Sequence, residues 1–427
     1  MITILSFAVA WAVLQAGMAV WRRFNLPAPL ESLRIGRIQY LLLGVVLTLG
    51  LPGLFHAGGA GRLIADEFKP IETGLLGAAM VWVGFQAGLA FDLRRLTQPG
   101  ASSLITEGLQ AAISFLLIFA AVSGSSFAFV PHLGVHRNVP VVALLLAAAA
   151  ITHRYPEPVC FWRRKPSPLP SIPPPSSRLS NSIGLLILGL LVPFAQDRTL
   201  SGIPAQSAYG ALFTILGLGL ILGISADFAF RANKTPLRAL MVLLCAVAVV
   251  AGPSLQMALP AVSVGFVGGS WFINTTVRRR EAIELTDRAG ALMESLLLIL
   301  LGGLFTASLQ AADGPGSTPF WAVLLCAAAF FTVRVASRFL GAFLTHRAMG
   351  IPCSALQAIA PGVRPMGPLA MAIIMQIHYI PMELQNQVLV TGALLTVVLS
   401  QLIFVPPDLR PSTGASISLP VPGSPRD

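Results

Sequence analysis

Two arginines four residues apart, Arg334 and Arg338 in FFTVRVASRFLGAF, lie in an apolar stretch that carries no acid of its own. Residues i and i+4 share one helical face, so both guanidiniums need a partner from another part of the chain. Glu294, in ALMESLLLILLGG, is an acid well inside a second apolar stretch, and Glu107 stands near the start of a third. A charge in hydrocarbon costs ~2.5 to 3.5 kcal/mol even on the lenient insertion scale, so each such group has a partner or a function. One use of this set is a structural ion pair between neighbouring helices, Arg334 with Glu294; the other is to bind an ion or carry a proton.

Two places in the sequence break a helix where such chemistry is useful: AITHRYPEPV at 150–159 and APGVRPMGPLAM at 360–371. Proline removes a backbone donor and glycine relaxes the helix, and interruptions at membrane depth are tolerated where they line a cavity. Half-helix ends place partial charges at the midplane, where Arg364 is positioned to compensate a negative end or attract an anion. The plainer alternative is that 154–175 is loop and that Pro361, Pro365 and Pro368 only kink a packed helix.

These residues need a membrane around them. Of 427 residues 55% are hydrophobic and 11% charged, with mean hydropathy +0.78, whereas soluble chains carry about 25% charged residues. At ~20 residues per crossing, thirteen apolar stretches qualify: 2–20, 38–55, 73–91, 104–130, 139–152, 181–195, 207–225, 238–255, 257–274, 289–310, 320–344, 354–379 and 386–405. The fifth and sixth are short, and Gly252, Pro253 and Ser254 alone divide the eighth from the ninth. The expected object is an all-α polytopic membrane protein of about 13 transmembrane helices, with 1–405 as one membrane domain.

The net charge of +11 tests that segmentation. With the N-terminus outside, 21 of the 28 Lys and Arg fall in cytoplasmic loops or the tail, 4 fall on the other side, and Arg334, Arg338 and Arg364 fall in or beside spans. This asymmetry is a topology signal and predicts a cytoplasmic C-terminus; it is not a nucleic-acid footprint. The stretch 156–175 contains eight prolines and reads as part of a cytoplasmic loop, 154–180. The tail 406–427, rich in Pro, Ser and Gly, reads as disordered. Cys160, Cys245, Cys326 and Cys353 are scattered, without metal or disulfide spacing. Neither a nucleophile–base pair nor a nucleotide fingerprint stands out, so an enzyme, a cofactor or a resident metal is not expected.

The order of motifs resembles the monovalent cation:proton antiporter superfamily. VWVGFQAGLAFDLRRL (81–96) is similar to that family's Phe-x-x-Gly-Leu-Glu-x-Asp helix ending, with Ala90 at the Glu position. VVALLLAAAAITHRYPEPV resembles its first broken helix, LPAVSVGFVGGSWFINTTVRRR its Gly-x-x-x-Ala-Asn segment, and RFLGAFLTHRAMGIPCSALQAIAPGVRPMGPLAMAI its late basic helix and second broken helix. The resemblance covers about 20–405. It implies inverted repeats, two crossed broken helices, a core that slides like an elevator against a scaffold, and a homodimer in a lipid bilayer, as in a bacterial inner (plasma) membrane.

The resemblance puts the ion-binding carboxylate at Asn181, preceded by Ser180, and offers Thr152 and His153 at the first break. Arg334 or Arg338 matches the basic partner of that carboxylate, Arg338 fitting the following Leu-Gly better. An amide cannot titrate. If cation exchange operates, Thr152, Ser180 and Asn181 supply neutral oxygens to Na+ or K+, and protons use Glu294, Glu107 or His153, whose ordinary pKa near 6.5 suits physiological switching. His153 equally reads as an interfacial residue opening the Pro-rich loop. The competing functions are a non-transporting scaffold or sensor of the same fold, and an anion transporter using Arg334, Arg338 and Arg364.

Overall fold

The computed structural model describes residues 38–55, 60–96, 101–129, 139–152, 175–195, 207–233, 235–311, 320–348, 366–379 and 384–403. His153, Arg364 and the tail lie outside them, as does the side chain of Glu107. The described residues are helical, with no strand among them. In chain order the helices are α1 (Ile38–Phe55), α2 (Ala60–Leu89), the short α3 (Leu93–Leu96), α4 (Ala101–Phe129), α5 (Val139–Ile151), α6 (Pro175–Ala195) and α7 (Ala208–Ala232). They continue with α8 (Pro236–Gln256), α9 (Ala261–Thr275), α10 (Arg279–Ala311), α11 (Phe320–Ala348), α12 (Pro368–His378) and α13 (Leu384–Ile403).

Every predicted span from the second onward meets a helix, with three boundary corrections. The 154–180 loop gives way to helix at Pro175, so Ser180 sits inside α6; proline suits a first turn, where its missing N–H is not needed. The tenth span extends back to Arg279, because Arg280 pairs with Glu284 at 3.3 Å, one turn on. Pro253 does not divide the eighth span from the ninth but lies within α8. The chain turns afterwards, where Ala258 takes a positive φ of 50° and the Leu259 N–H returns to the Ser254 carbonyl at 2.7 Å.

Four helices, Ala208–Ala232, Pro236–Gln256, Arg279–Thr306 and Val323–Thr345, are long and apolar enough to cross a membrane by themselves. Phe213, Phe228 and Val249 of α7 and α8 face outward, as lipid-facing side chains do. The 25 residues of α7 reach about 37 Å at ~1.5 Å per residue, enough for a hydrocarbon layer of ~30 Å. The chain is an integral membrane protein.

Glycine sets two of the closest helix crossings. A Cβ on Gly44 of α1 would strike the Ile299 carbonyl of α10, and one on Gly302 would strike the Leu41 carbonyl of α1. The same arrangement joins α2 to α9, where Gly84 faces the Val262 carbonyl and Gly265 the Val81 carbonyl. In each pair the struck carbonyl belongs to the residue three before the opposing glycine. Small residues let helix backbones approach in this way without a hydrophobic driving force. The repetition pairs α1 with α9 and α2 with α10, as inverted repeats require.

Helix directions follow the same logic. Gly84 meets Val262 and Phe266 while Gly88 meets Phe266, Gly269 and Ser270, so α2 and α9 run parallel. Ser114 of α4 donates to the Ser337 carbonyl of α11 at 3.3 Å, and a Cβ on Gly341 would meet the Gln110 carbonyl, so α4 and α11 run antiparallel. Both relations agree with the alternation of the predicted spans.

The helices sort into two groups. Packing neighbours join α4, α5, α6, α11, α12 and α13 into one bundle, and α1, α2, α7, α8, α9 and α10 into a frame beside it. Among the polar bonds that link them, Gln376 Oε1 of α12 accepts the Ala261 N–H of α9 at 3.0 Å, and Ser263 Oγ of α9 donates to the Leu185 carbonyl of α6 at 3.5 Å.

Candidate functional site

The 13 residues of α5 extend only about 20 Å, and the 11 residues of α12 still less, so each is too short to span. They pack against each other, which places the end of α5 inside the bundle. Its residues Leu145 to Thr152 are all buried. The last carbonyls of a helix have no intrahelical donor, and a buried polar group left without one costs several kcal/mol in hydrocarbon.

The structure answers that need with Arg338. Its Nε donates to the Ala150 carbonyl at 3.1 Å, and its Nη2 donates to Ala150 and, at 2.7 Å, to the Thr152 carbonyl. The Thr152 hydroxyl turns back to the Ala149 carbonyl at 2.7 Å. A guanidinium thus sits on the partly negative end of a half-helix, a placement that charge-assisted bonding favours. The sequence had offered that compensating role to Arg364 at the other break.

Asn181 and Ser180 enter from α6. Both are about 1% exposed, on a helix that packs on α5 and α4. Gly184, three residues on from Asn181, is where α6 closes on the break: a Cβ there would lie 2.8 Å from the Ala148 carbonyl and 3.1 Å from Thr152 Cγ2. Thr152 and Arg338 thus meet at one helix end, and Ser180 and Asn181 lie about one turn along α6 from the glycine that touches it, so the chemistry at hand is hydroxyls, an amide and a fixed positive charge. None of α5, α6 and α12 carries a carboxylate among its described residues.

Arg334 lies one turn before Arg338 on α11 and is about 1% exposed. Glu294 is also buried, but on α10, whose main neighbours are α1, α2, α12 and α13, whereas α11 packs chiefly on α4 and α13. Arg334 and Glu294 are both partnered residues. Among the described residues no set of three or more His, Cys, Asp or Glu is arranged to hold a metal.

Gln376 was not singled out in the sequence and is legible there only as a lone polar residue in an apolar helix; Asn274 and Asp92 stand in the quoted motifs, but without their partners. Asn274 ties the end of α2 to α9: its Nδ2 donates to the Phe91 carbonyl at 3.0 Å, and its Oδ1 accepts the Leu93 N–H at 3.1 Å. Asp92 accepts the Arg94 N–H at 3.1 Å and lies 3.6 Å from Arg279 Nη1. The Asp of the early motif and the Asn and Arg of the later one thus form a single clasp.

No protein-family model and no curated protein matches this chain. Its fold is similar to the solved structure of a sodium proton antiporter from Methanocaldococcus jannaschii, determined at pH 8. The alignment covers 94% of this chain and 95% of that one at 16% identity, with a TM-score of 0.52. At that identity the likeness is one of fold.

Proposed function

We propose that this protein is a secondary transporter that exchanges a small monovalent cation, Na+ or K+, for protons. The observation that carries the reading is the broken end of α5, where Thr152, Ser180 and Asn181 are buried beside a helix terminus capped by Arg338. Buried neutral oxygens next to an interrupted helix suit a partly dehydrated cation, and a neutral site releases its ion more readily than a carboxylate. Exchange proceeds by movement of the bundle against the frame, an elevator-like step along the boundary between the two groups of helices. Two copies associate through the frame, with the N-terminus outside and the C-terminus in the cytoplasm. Protons require a group that titrates, which Asn181 is not; Glu294, Glu107 and His153 are the candidates.

Proteoliposomes with a pH dye inside, given Na+, K+ or Li+ against an opposing proton gradient, test the reading. Cation-dependent dequenching in the wild type is the expected result. Silence in the wild type with activity in Asn181→Asp would instead mean a fold whose carrier has been lost. The buried amide at Asn181 favours that second reading, a non-transporting scaffold, over the remaining one. Anion-stimulated counterflow that disappears on Arg338 substitution would point to an anion transporter.

A further inference from the structure

The seam between α2 and α10 carries a file of polar groups that leads inward from the clasp. Asp92 and Arg279 stand at its end, 3.6 Å apart. Further in, Gln86 Nε2 donates to the Thr286 carbonyl at 2.9 Å, and a Cβ on Gly290 would strike the same Gln86 amide. Residue numbers fall along α2 as they rise along α10, so the two helices are antiparallel. One further turn on each helix, about 6 Å at ~1.5 Å per residue, brings the register to Trp82 and Glu294.

Both residues are buried, Trp82 at 0% and Glu294 at 4% exposure. The Trp82 indole N–H has no hydrogen-bond partner among the described residues. A buried N–H of this kind normally has a protein or water partner, and an unsatisfied donor costs about 1 to 3 kcal/mol. An unfilled donor at the register of a buried carboxyl marks a place for a small polar occupant.

We propose that the α2–α10 seam is a proton-binding site, in which a water held by the Trp82 N–H bridges to the Glu294 carboxyl and protons reach it past Gln86 and Asp92. This rests on the exchange reading above and deepens it. Cation and proton are held by different groups of helices, Asn181 in the bundle and Glu294 in the frame, so their coupling runs through the relative position of the two.

The ionisable groups on the helices packed against Glu294's part of the fold are read by position. On α10 the nearest are Asp287 and Arg288, about two turns away; α1 brings Tyr40, α8 Arg238 and Cys245, α12 His378, and α13 none. Asp92 lies just beyond one end of α2, and Arg62, Asp66, Glu67, Lys69 and Glu72 lie toward its other end.

Infrared difference spectra of the purified full chain between acid and alkaline pH read the carboxyl directly, without transport. The expected result is a protonated-carboxyl band that is absent in Glu294→Gln and titrates with a midpoint moved by half a unit or more in Trp82→Phe. Slower hydrogen–deuterium exchange of that band in Gln86→Leu would support the route. Identical wild-type and Glu294→Gln spectra would overturn the site, as would a Trp82→Phe spectrum and midpoint unchanged from wild type. A Glu294 band with these dependences in a protein that gives no cation-dependent dequenching would uphold the proton site and overturn only the exchange reading.

Discussion

The glycine-packed frame and the bundle that carries the broken helices solve the same problem in opposite ways. In the frame, α1 meets α10 and α2 meets α9 backbone to backbone, with glycine opposite a carbonyl on both sides of each contact. No space remains for a Cβ at these crossings. In the bundle, α5 stops inside the fold, and a guanidinium from α11 satisfies its last carbonyls. The frame is fixed by shape and the bundle by a few replaceable bonds. Glycine crossings and the capped helix end are therefore kept in separate places, joined by bonds such as that of Gln376 to the α9 backbone.

Disrupting the frame should have the largest effect. Gly265→Leu places a side chain where the Val81 carbonyl and Phe85 N–H already stand, so α2 and α9 must separate. Overpacking typically costs about 1 to 3 kcal/mol, occasionally more, and backbone on both sides puts this case at the upper end. The expected outcome is loss of the monodisperse peak in size-exclusion chromatography, with Gly302→Leu doing the same for α1 and α10.

Arg338→Met should come next. It leaves the Ala150 and Thr152 carbonyls at the α5 end without their charged donor, and hydrogen bonds to charged groups contribute about 1.5 to 3 kcal/mol. Thermal unfolding in detergent should fall by several degrees, with partial recovery in Arg338→Lys, which keeps the charge but not the fork. An unchanged melting temperature in Arg338→Met would erase the contrast drawn between the two regions.

Gln376→Leu removes a single neutral bond between bundle and frame. Buried bonds of this kind in membrane proteins average ~0.6 kcal/mol, so stability should barely move. If the bundle travels against the frame, transport rate in proteoliposomes should change more than melting temperature does. The smallest effect belongs to the Arg280–Glu284 pair, at 3.3 Å and largely exposed. Removing it should alter stability by no more than about 0.5 kcal/mol, measured by the same melts.

The sequence was most legible where hydrophobicity alone decides. The spans and the short α5 followed from apolar stretch length, because backbone groups in hydrocarbon must bond within their own helix, whereas the sixth span, expected short, is a helix of 21 residues. Most of the two interruptions, at 153–159 and 360–365, lies outside the described residues. The extension of α10 back to Arg279 was hidden by its charges, which read as loop until their one-turn spacing is seen on a helix. The site was legible as residue types and not as partners. Arg338 was singled out as a buried charge in need of a contact, but the contact is with backbone carbonyls of α5, and carbonyls leave no mark in a sequence.

Composition and stretch length by themselves determined that this chain lives in a membrane and where its spans from the second onward lie. Each of those depends on single segments meeting lipid. Only the tertiary structure decided that Arg338 caps α5, that Asp92, Asn274 and Arg279 form one clasp, and that Trp82 and Glu294 share a register. These depend on residues far apart in the chain, such as Asn274 and Phe91, whose separation of 183 positions is closed by glycines that let α2 and α9 touch.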